Sequence, residues 1–466
     1  MKKFWRNNTA TISMLLLTTG AFAQQKNEFN VKQAVDYAMK NATQVKNALL
    51  DVKVQEQVNR QLTSAAYPQV NASMGTTHFP NIAVQSLPNF ISPATYQVLI
   101  DEGVKNGSGG NISFPAGGFG TIAAQFGTPW TANAGVDVSQ LLFDGQVFVG
   151  LKARSAVLDF YKKTAAVTQE QIKANVMKIY YQLVVGQSQL ASLDANIQRF
   201  EKLLKDTKEI YKNGFAEKLD VDKVQVQLNN IITEKEKIVN AIASGNSGLK
   251  FLLAMPQQEE LVLTDTLSTE SLKDNILNEN YNYNDRKEIQ LLTVAEKLGN
   301  YNIRRYKLSK LPTAAAFGSF SKNAQRNKFN FFGKGDWFTT SLAGLKISMQ
   351  IFDGNRKNAL IQQSRYELQK TQNNMEQLKQ SVDYDVAQSR IKMTSALLTM
   401  DNQKKNITLA ENVYNTTRKK YEQGLGSNQE IYNAQTELKV AQTNYYSSLY
   451  DAISAKIDWL KAAGKL

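Results

Sequence analysis

One coiled-coil pattern occurs twice in this chain, 210 positions apart. Within each copy, the residues of one helical face recur at alternating steps of three and four, the spacing of a coiled-coil seam. The first seam contains Leu158, Tyr161, Ala165, Thr168, Ile172, Asn175, Ile179, Leu183, Gly186, Leu190, Leu193, Ile197, Phe200, Leu204, Thr207 and Tyr211. The second contains Leu368, Thr371, Met375, Leu378, Val382, Asp385, Ser389, Met393, Ala396, Met400, Gln403, Ile407, Ala410, Tyr414, Thr417 and Tyr421. The shared phase indicates an internal duplication.

The two seams predict two very long helices. No proline lies between Gly145 and Tyr211 or between Gly354 and Tyr421. At about 1.5 Å per residue, each segment makes a rod of roughly 100 Å. Gly214 and Gly424 follow the rods and are suited to the left-handed turn that ends a helix. Each rod is therefore expected to turn back as a hairpin.

The flanking segments complete two similar halves. Returning helices are predicted over 219–253 and 429–460, and helices that precede the strands over 31–66 and 271–309. The latter two end at prolines, which continue a helix poorly. Each half then reads helix, strand, loop, strand, long helix, turn and returning helix.

The domain organisation follows from this order. Residues 1–23 resemble a secretory signal peptide, with a basic start, a short apolar stretch and an Ala-Phe-Ala cleavage site. Residues 24–255 form the first structural repeat and residues 268–466 the second. Residues 256–267 lack a helical period and are interpreted as the linker between them.

Four strands are predicted, over 69–76, 130–143, 313–320 and 337–352. The second and fourth alternate apolar with polar residues, as expected for a membrane barrel with lipid outside and water inside. Aromatic residues at both ends match interfacial girdles: these are Trp130 and Phe143, and Trp337 and Phe352.

Four strands cannot close into a barrel, and lipid does not tolerate an open sheet edge. The strands therefore require several copies of the chain to share one barrel. The Gly- and Pro-rich segment 78–129 is interpreted as a surface loop with a short helix near 95–104, because long loops of such barrels face outward.

Composition excludes several kinds of chemistry. The chain has no cysteine, which excludes disulfides, thiolate metal sites and a thiol nucleophile. His78 is the only histidine, so no catalytic or metal-binding set that needs two histidines is available. The net charge is +14, but the basic residues are spread along helical faces, so nucleic-acid binding is not expected. We expect no enzyme activity, no cofactor and no metal site.

The repeated motifs resemble those of the outer membrane efflux protein (TolC) family. The most specific are the two tips that begin Tyr211-Lys-Asn-Gly and Tyr421-Glu-Gln-Gly, together with the Phe-Asp-Gly junctions at 143–145 and 352–354. The resemblance covers essentially all of the chain after the signal peptide. It implies an α+β membrane protein and a homotrimer in the outer membrane. Four strands per chain would form a twelve-stranded barrel, and the coiled-coil α-hairpins would form a periplasmic tunnel.

The resemblance also implies partners and site residues. A periplasmic adaptor (membrane fusion protein) would dock at Gly214 and Phe215 and at Gly424 and Leu425, where Phe215 replaces the usual leucine. An inner-membrane transporter would supply energy, and outer-membrane lipid would surround the barrel.

The periplasmic gate would involve Tyr421, Glu430, Asn433 and Asp220. Asn433 and Gly426 stand where the family archetype has an acidic and a basic residue, so the inter-chain ionic lock is expected to be weaker here.

The favoured function is thus a passive exit duct of a tripartite efflux or type I secretion system. Drugs, metal ions and secreted proteins remain alternative cargoes, and several pump classes remain alternative partners. A periplasmic coiled-coil scaffold without a pore is the second hypothesis. An exported hydrolase is a third, opposed by the missing catalytic motifs.

Overall fold

The computed structural model describes residues 26–267, 272 and 280–466. The predicted signal peptide, and the first residues of the helix predicted over 271–309, lie outside them. In chain order the helices are α1 (Val31–Asn41), α2 (Thr43–Ser64), α3 (Ile91–Asp101), α4 (Gly145–Lys212), α5 (Lys218–Leu253), α6 (Lys287–Leu308), α7 (Arg356–Glu422) and α8 (Asn428–Ala462). The strands are β1 (Lys26–Phe29), β2 (Gln69–His78), β3 (Val84–Pro88), β4 (Thr121–Gln125), β5 (Trp130–Phe143), β6 (Glu260–Leu263), β7 (Thr313–Arg326) and β8 (Phe338–Ser348).

The described residues form two compact units. One, the sheet unit, comprises residues 58–152 and 301–363. The other, the helical unit, comprises the described residues of 1–57, 153–300 and 364–466.

The sheet unit contains an antiparallel four-stranded sheet in the order β2-β5-β7-β8. All four predicted strands are present, and β2 and β7 are longer than the sequence predicted. The strand predicted over 337–352 is shorter, since β8 ends at Ser348 and Phe352 lies beyond it. The strands β2 and β8 are the open edges of this sheet. Their unpaired backbone groups are the ones that an additional strand would satisfy.

The register separates an apolar face of the sheet from a polar face. Because side chains alternate along a strand, residues in register at every second position share a face. The apolar face carries Val70, Ala72 and Met74 on β2, Ala132, Ala134, Val136 and Val138 on β5, Ala316 and Phe320 on β7, and Ala343, Leu345 and Ile347 on β8. The polar face carries Asn71, Ser73, Asn133, Asp137, Ser139, Ser319, Ser321 and Thr340. The predicted alternation is confirmed.

Aromatic residues cluster at the sheet end where β2 finishes and β5 begins. The ring of His78 stacks on Trp130 with 4.2 Å between centroids. Phe331 and Trp337 pack with Ala132 and Ala324 of the apolar face. The turn between β7 and β8 therefore folds back onto that face.

The long loop after β2 has secondary structure of its own. The strands β3 and β4 form an antiparallel hairpin, and α3 starts and ends a few residues before the predicted short helix. Tyr96 of α3 packs edge-on against Phe119, which in turn contacts Phe114. This aromatic cluster provides a small core for a loop that is otherwise mostly exposed.

Both rods are continuous helices, of 68 residues in α4 and 67 in α7. Every predicted seam residue of α7 is buried or half-buried, whereas most other positions of that helix are exposed. In α4 only the last seam residue, Tyr211, is exposed. The seam prediction is confirmed at nearly every position.

The Phe-Asp-Gly junctions begin the rods by one mechanism. Asp144 accepts hydrogen bonds from the backbone N–H of Gln146 at 2.7 Å and Val147 at 3.2 Å. Asp353 accepts from the backbone N–H of Lys357 at 3.0 Å. Each carboxylate satisfies N–H groups that a helix start leaves unpaired. The prediction that α7 starts at its glycine was early by two residues, because Gly354 and Asn355 both have positive φ.

The helical unit has a buried core where four helices meet. It contains Leu193, Phe200, Leu203 and Leu204 of α4, Val224, Leu228 and Ile231 of α5, Tyr414 of α7, and Ile431, Ala434 and Leu438 of α8. Burying large apolar side chains is the main stabilising contribution, at roughly 1.5–3 kcal/mol for each.

Three features of the helical unit differ from expectation. The helix predicted over 271–309 begins only at Lys287, because the described residues 280–286 before it are not α-helical. The helix predicted over 31–66 is interrupted at Ala42, whose ψ of 126° is extended rather than helical. The predicted linker contains β6, which pairs in parallel with β1. The hydroxyl of Tyr180 donates to the carbonyl of Phe29 at 2.8 Å and accepts from the backbone N–H of Asp265 at 3.3 Å, so it joins the two segments.

Within the described residues, none of the helices combines the length and the apolar character needed to cross a bilayer.

Candidate functional site: the two helical tips

The first tip is a tight helix ending built on Gly214. Its φ of 81° is left-handed, which glycine adopts without a steric penalty. Its backbone N–H donates to the carbonyl of Tyr211 at 2.9 Å, and that of Phe215 donates to the carbonyl of Ile210 at 3.0 Å. This pair of bonds defines a Schellman motif.

The second tip has the same geometry. Gly424 has a φ of 74°. Its N–H donates to the carbonyl of Tyr421 at 3.0 Å, and that of Leu425 donates to the carbonyl of Lys420 at 3.0 Å. The duplication predicted from sequence therefore extends to the hydrogen bonds of the two turns.

Both tips expose the large apolar residue that follows the glycine. Phe215 is 86% exposed and Leu425 is 71% exposed. In a Schellman motif this position frequently packs back onto the helix. Here both side chains remain in solvent, which leaves them available to a partner.

Two of the predicted gate residues lie at the starts of the returning helices. The carboxylate of Asp220 accepts from the backbone N–H of Glu217 at 3.3 Å. Glu430 donates its backbone N–H to the hydroxyl of Ser427 at 3.1 Å. The acidic side chains also complement the positive end of each helix dipole.

Glu430 forms an ion pair across the second tip. Its carboxylate lies 2.9 Å from the ε-amino group of Lys420, and both side chains are about half exposed. An exposed pair of this kind contributes little to stability, typically below about 1 kcal/mol. Its effect is local, because Lys420 offsets the negative charge that Glu430 presents.

Tyr421 is half-buried against the core of its own chain. Burial raises the pKa of its phenol, and the nearby carboxylates of Asp206 and Asp220 raise that pKa further, whereas the Thr207 side chain lowers it. The phenol is therefore neutral at physiological pH and cannot act as an anion there.

Asn433 is exposed on α8 and accepts from the side chain of Gln429 at 2.7 Å. Two of the predicted gate residues, Asp220 and Tyr421, lie close enough together for the Asp220 carboxylate to raise the pKa of the Tyr421 phenol.

A groove of about 310 Å³ lies beside Tyr421 between α4, α7 and α8. It is lined in part by Arg199, Tyr414 and Arg418. The guanidinium groups lie 5.4 Å and 5.9 Å from the Tyr414 ring centroid, within cation–π range. The seam pattern predicted that Tyr414 packs between helices, but it did not indicate the two arginines beside its ring, although Arg418 follows Tyr414 by one helical turn.

The family comparison matches the second half of the chain. Residues 285–465 match the model of the outer membrane efflux protein family. Among curated proteins, the outer membrane protein TolC of Vibrio cholerae serotype O1 is 19% identical over 347 residues, which are 72% of this chain and 77% of that protein.

Solved structures share the fold of nearly the whole chain. The outer-membrane channel CmeC of Campylobacter jejuni has a TM-score of 0.72 at 14% identity and covers 94% of this chain and 86% of its own. The outer membrane protein VceC of Vibrio cholerae has a TM-score of 0.68 at 13% identity, with 93% and 96% coverage. CusC has a TM-score of 0.72 at 17% identity, with 93% and 92% coverage.

At these identities the structural likeness establishes the fold. The family match supports the same fold from the sequence, over residues 285–465, which contain the second tip. Together they confirm the resemblance carried by the tip and junction motifs. Residues 285–465 thus resemble the outer membrane efflux protein family, and nearly the whole chain shares the fold of solved outer-membrane channels such as CmeC.

Proposed function

We propose that this chain is one subunit of an outer-membrane channel, a passive exit duct of a tripartite efflux or type I secretion system. The observation that carries the proposal is the open four-stranded sheet, which has an apolar face and a polar face. A sheet of this kind suits lipid on one side and water on the other once its edges are sealed. The 68- and 67-residue helices that follow β5 and β8 then form a periplasmic tunnel.

Three copies are proposed to complete the channel. Solved structures of this fold, such as CmeC, are named as outer-membrane channels, and in the family that the chain resembles three chains of four strands give a twelve-stranded barrel. The open edges β2 and β8 support this proposal, because each needs a strand from another copy. The duct uses no cofactor and performs no chemistry, and a partner pump supplies the energy.

The tips are proposed to meet the rest of the system. Phe215 and Leu425 dock a periplasmic adaptor, which connects the duct to an inner-membrane transporter. Their exposure at two tips of equal backbone geometry supports this role. Tyr421, Glu430, Asn433 and Asp220 are proposed to line the resting gate.

A planar-bilayer measurement tests the channel itself. We expect the purified protein to migrate as a heat-modifiable oligomer and to produce discrete conductance steps. The alternative, a coiled-coil scaffold without a pore, has no use for an apolar sheet face, and such a protein would be extracted by salt. A protein that washes off in salt and leaves the bilayer silent would favour the scaffold.

Replacing Glu430 with alanine tests the gate. Three carboxylates around one axis would attract cations and make the channel sensitive to cation block. We expect Glu430→Ala to raise the blocking concentration of a multivalent cation roughly tenfold. Lys420→Ala should lower it instead, because it frees the carboxylate from its ion pair.

Asp451→Ala is the control for this measurement. Glu437 would be unsuitable, because a residue seven positions after Glu430 lies on the same helix face. Asp451 is exposed on α8, about 30 Å along the helix from Glu430, and should leave block unchanged when replaced. Equal blocking concentrations in the wild type and in the Glu430 and Lys420 variants would remove Glu430 from the gate.

A further inference from the structure

Two basic residues lie on the apolar face of the sheet. In the register, Lys322 pairs with Ala134 of β5 and Thr339 of β8. Arg326 pairs with Trp130, two positions beyond Ala324 on the same face. The face that is otherwise suited to lipid therefore carries two cations near its aromatic end.

The turn between β7 and β8 surrounds these cations with further basic and aromatic groups. It contributes Lys328 and Lys334, and Asp336 is its one acidic residue. The guanidinium of Arg326 donates to the backbone carbonyl of Asp336 at 2.8 Å, which fixes its direction. Phe332 projects from the same turn and is largely exposed.

The chain itself supplies little negative charge to balance these groups. In the part of the chain that the structure describes, Lys322 has no carboxylate within ion-pair distance. Arg326, by contrast, donates to the backbone carbonyls of Gln325 and Asp336 and has a buried Nε, so it orders the turn rather than presenting its guanidinium to the lipid. A cation on a lipid-facing surface is unfavourable unless its head reaches the interface or meets an anion.

The connections of the strands identify which membrane surface this is. The opposite end of the sheet leads into the long helices, whereas the aromatic end leads only into segment 79–129 and the β7–β8 turn. If the helices lie in the periplasm, as the proposed function requires, the aromatic end lies at the outer leaflet. Aromatic side chains mark the interfacial level at which lipid headgroups lie.

We propose that the exposed Lys322, with the turn lysines Lys328 and Lys334, binds the phosphate groups of a phosphorylated glycolipid of the outer leaflet, while Arg326 orders the turn. Lysine offers a point charge to phosphate oxygens. The lipid would seat its headgroup at the aromatic turn and its acyl chains along the apolar face below. This inference rests on the proposed function, since it needs the sheet to be in a membrane.

Moving the charge of Lys322 from β7 to the neighbouring strand β8 gives a sharp test. The probe is diphosphorylated lipid A, added to the detergent-solubilised oligomer, with native mass spectrometry to measure the retained lipid. We expect Lys322→Gln to reduce retention about fivefold. Adding Thr339→Lys should restore it, because Thr339 is the register partner of Lys322 on the same face. Adding Thr340→Lys instead should not, because that residue lies on the polar face.

Two further lipids identify the recognised group. Dephosphorylated lipid A should be retained equally by the wild type and by Lys322→Gln, and phosphatidylglycerol should be retained less than lipid A by the wild type. Equal rescue by Thr339→Lys and Thr340→Lys would overturn the proposal, as would equal retention of phosphorylated and dephosphorylated lipid. Equal retention of phosphatidylglycerol and lipid A would overturn the assignment to the outer-leaflet glycolipid.

The conductance of the same samples separates this inference from the proposed function. Variants that conduct normally but show no difference in lipid retention contradict only the lipid site. A wild-type protein without conductance contradicts the channel itself.

Discussion

Replacing both exposed tip residues with aspartate, Phe215→Asp and Leu425→Asp, is expected to reduce export to the level of a strain that lacks the protein. Each wild-type side chain is largely exposed, and docking would remove it from water. Burial of such a side chain contributes roughly 1.5–3 kcal/mol. Because several copies of each tip would dock together, the binding free energy lost is the sum over all copies, which is enough to abolish adaptor docking. The measurement is export by cells that carry the variant.

A matched variant separates the loss of apolar contact from the added charge. Gln423→Asp introduces the same charge at an exposed position two residues before Leu425, leaves both apolar side chains in place, and is compared with Leu425→Asp alone. We expect this control to export normally. Both variants should remain heat-modifiable oligomers, since neither alters the glycines that form the turns. Normal export by the Phe215 and Leu425 variant would remove the tips from the docking role.

A lysine on the apolar face in the middle of the sheet is expected to prevent most of the protein from assembling in the membrane. Val70 of β2 pairs with Val138 of β5, four positions farther from the aromatic end than the row of Lys322, and is 64% exposed. At the bilayer midplane, a lysine on the lipid face of a barrel costs about 2–4 kcal/mol. Because every copy carries the change, Val70→Lys should reduce the folded oligomer by much more than tenfold, as measured by heat-modifiable migration after outer-membrane extraction.

Asn71→Lys is the control for the barrel prediction. Asn71 is the neighbour of Val70 and points to the polar face, in register with Asp137. A lysine there would lie in water and should leave the oligomer intact. If both lysines reduce assembly equally, the two faces do not have the environments assigned to them.

The long helices and the sheet strands could be predicted from the sequence because all residues of one helical or sheet face follow the same spacing. Sixteen seam positions per rod determine one helical face, and the alternation along β5 determines two sheet faces. The break at Ala42 and the pairing of β1 with β6 could not be predicted this way. Both strands have four residues, too few to show a period.

The backbone conformation of the two tips could be predicted from the sequence, but the ion pair and the burial of their side chains could not. The two glycines indicated the two turns, and the structure gives both a Schellman motif. The ion pair between Lys420 and Glu430 joins residues on opposite sides of a turn, so helical spacing does not predict it. The half-buried position of Tyr421 depends on the side chains packed around it.

The short pairing of β1 with β6 has a consequence for the order of folding during export. Its register joins Lys26 to Glu260 and Phe29 to Leu263, so the ladder forms only after more than half of the chain has crossed the inner membrane. Contacts of such high sequence separation form slowly. Until then α1 lacks this neighbouring ladder, and its apolar face is a suitable target for a periplasmic chaperone.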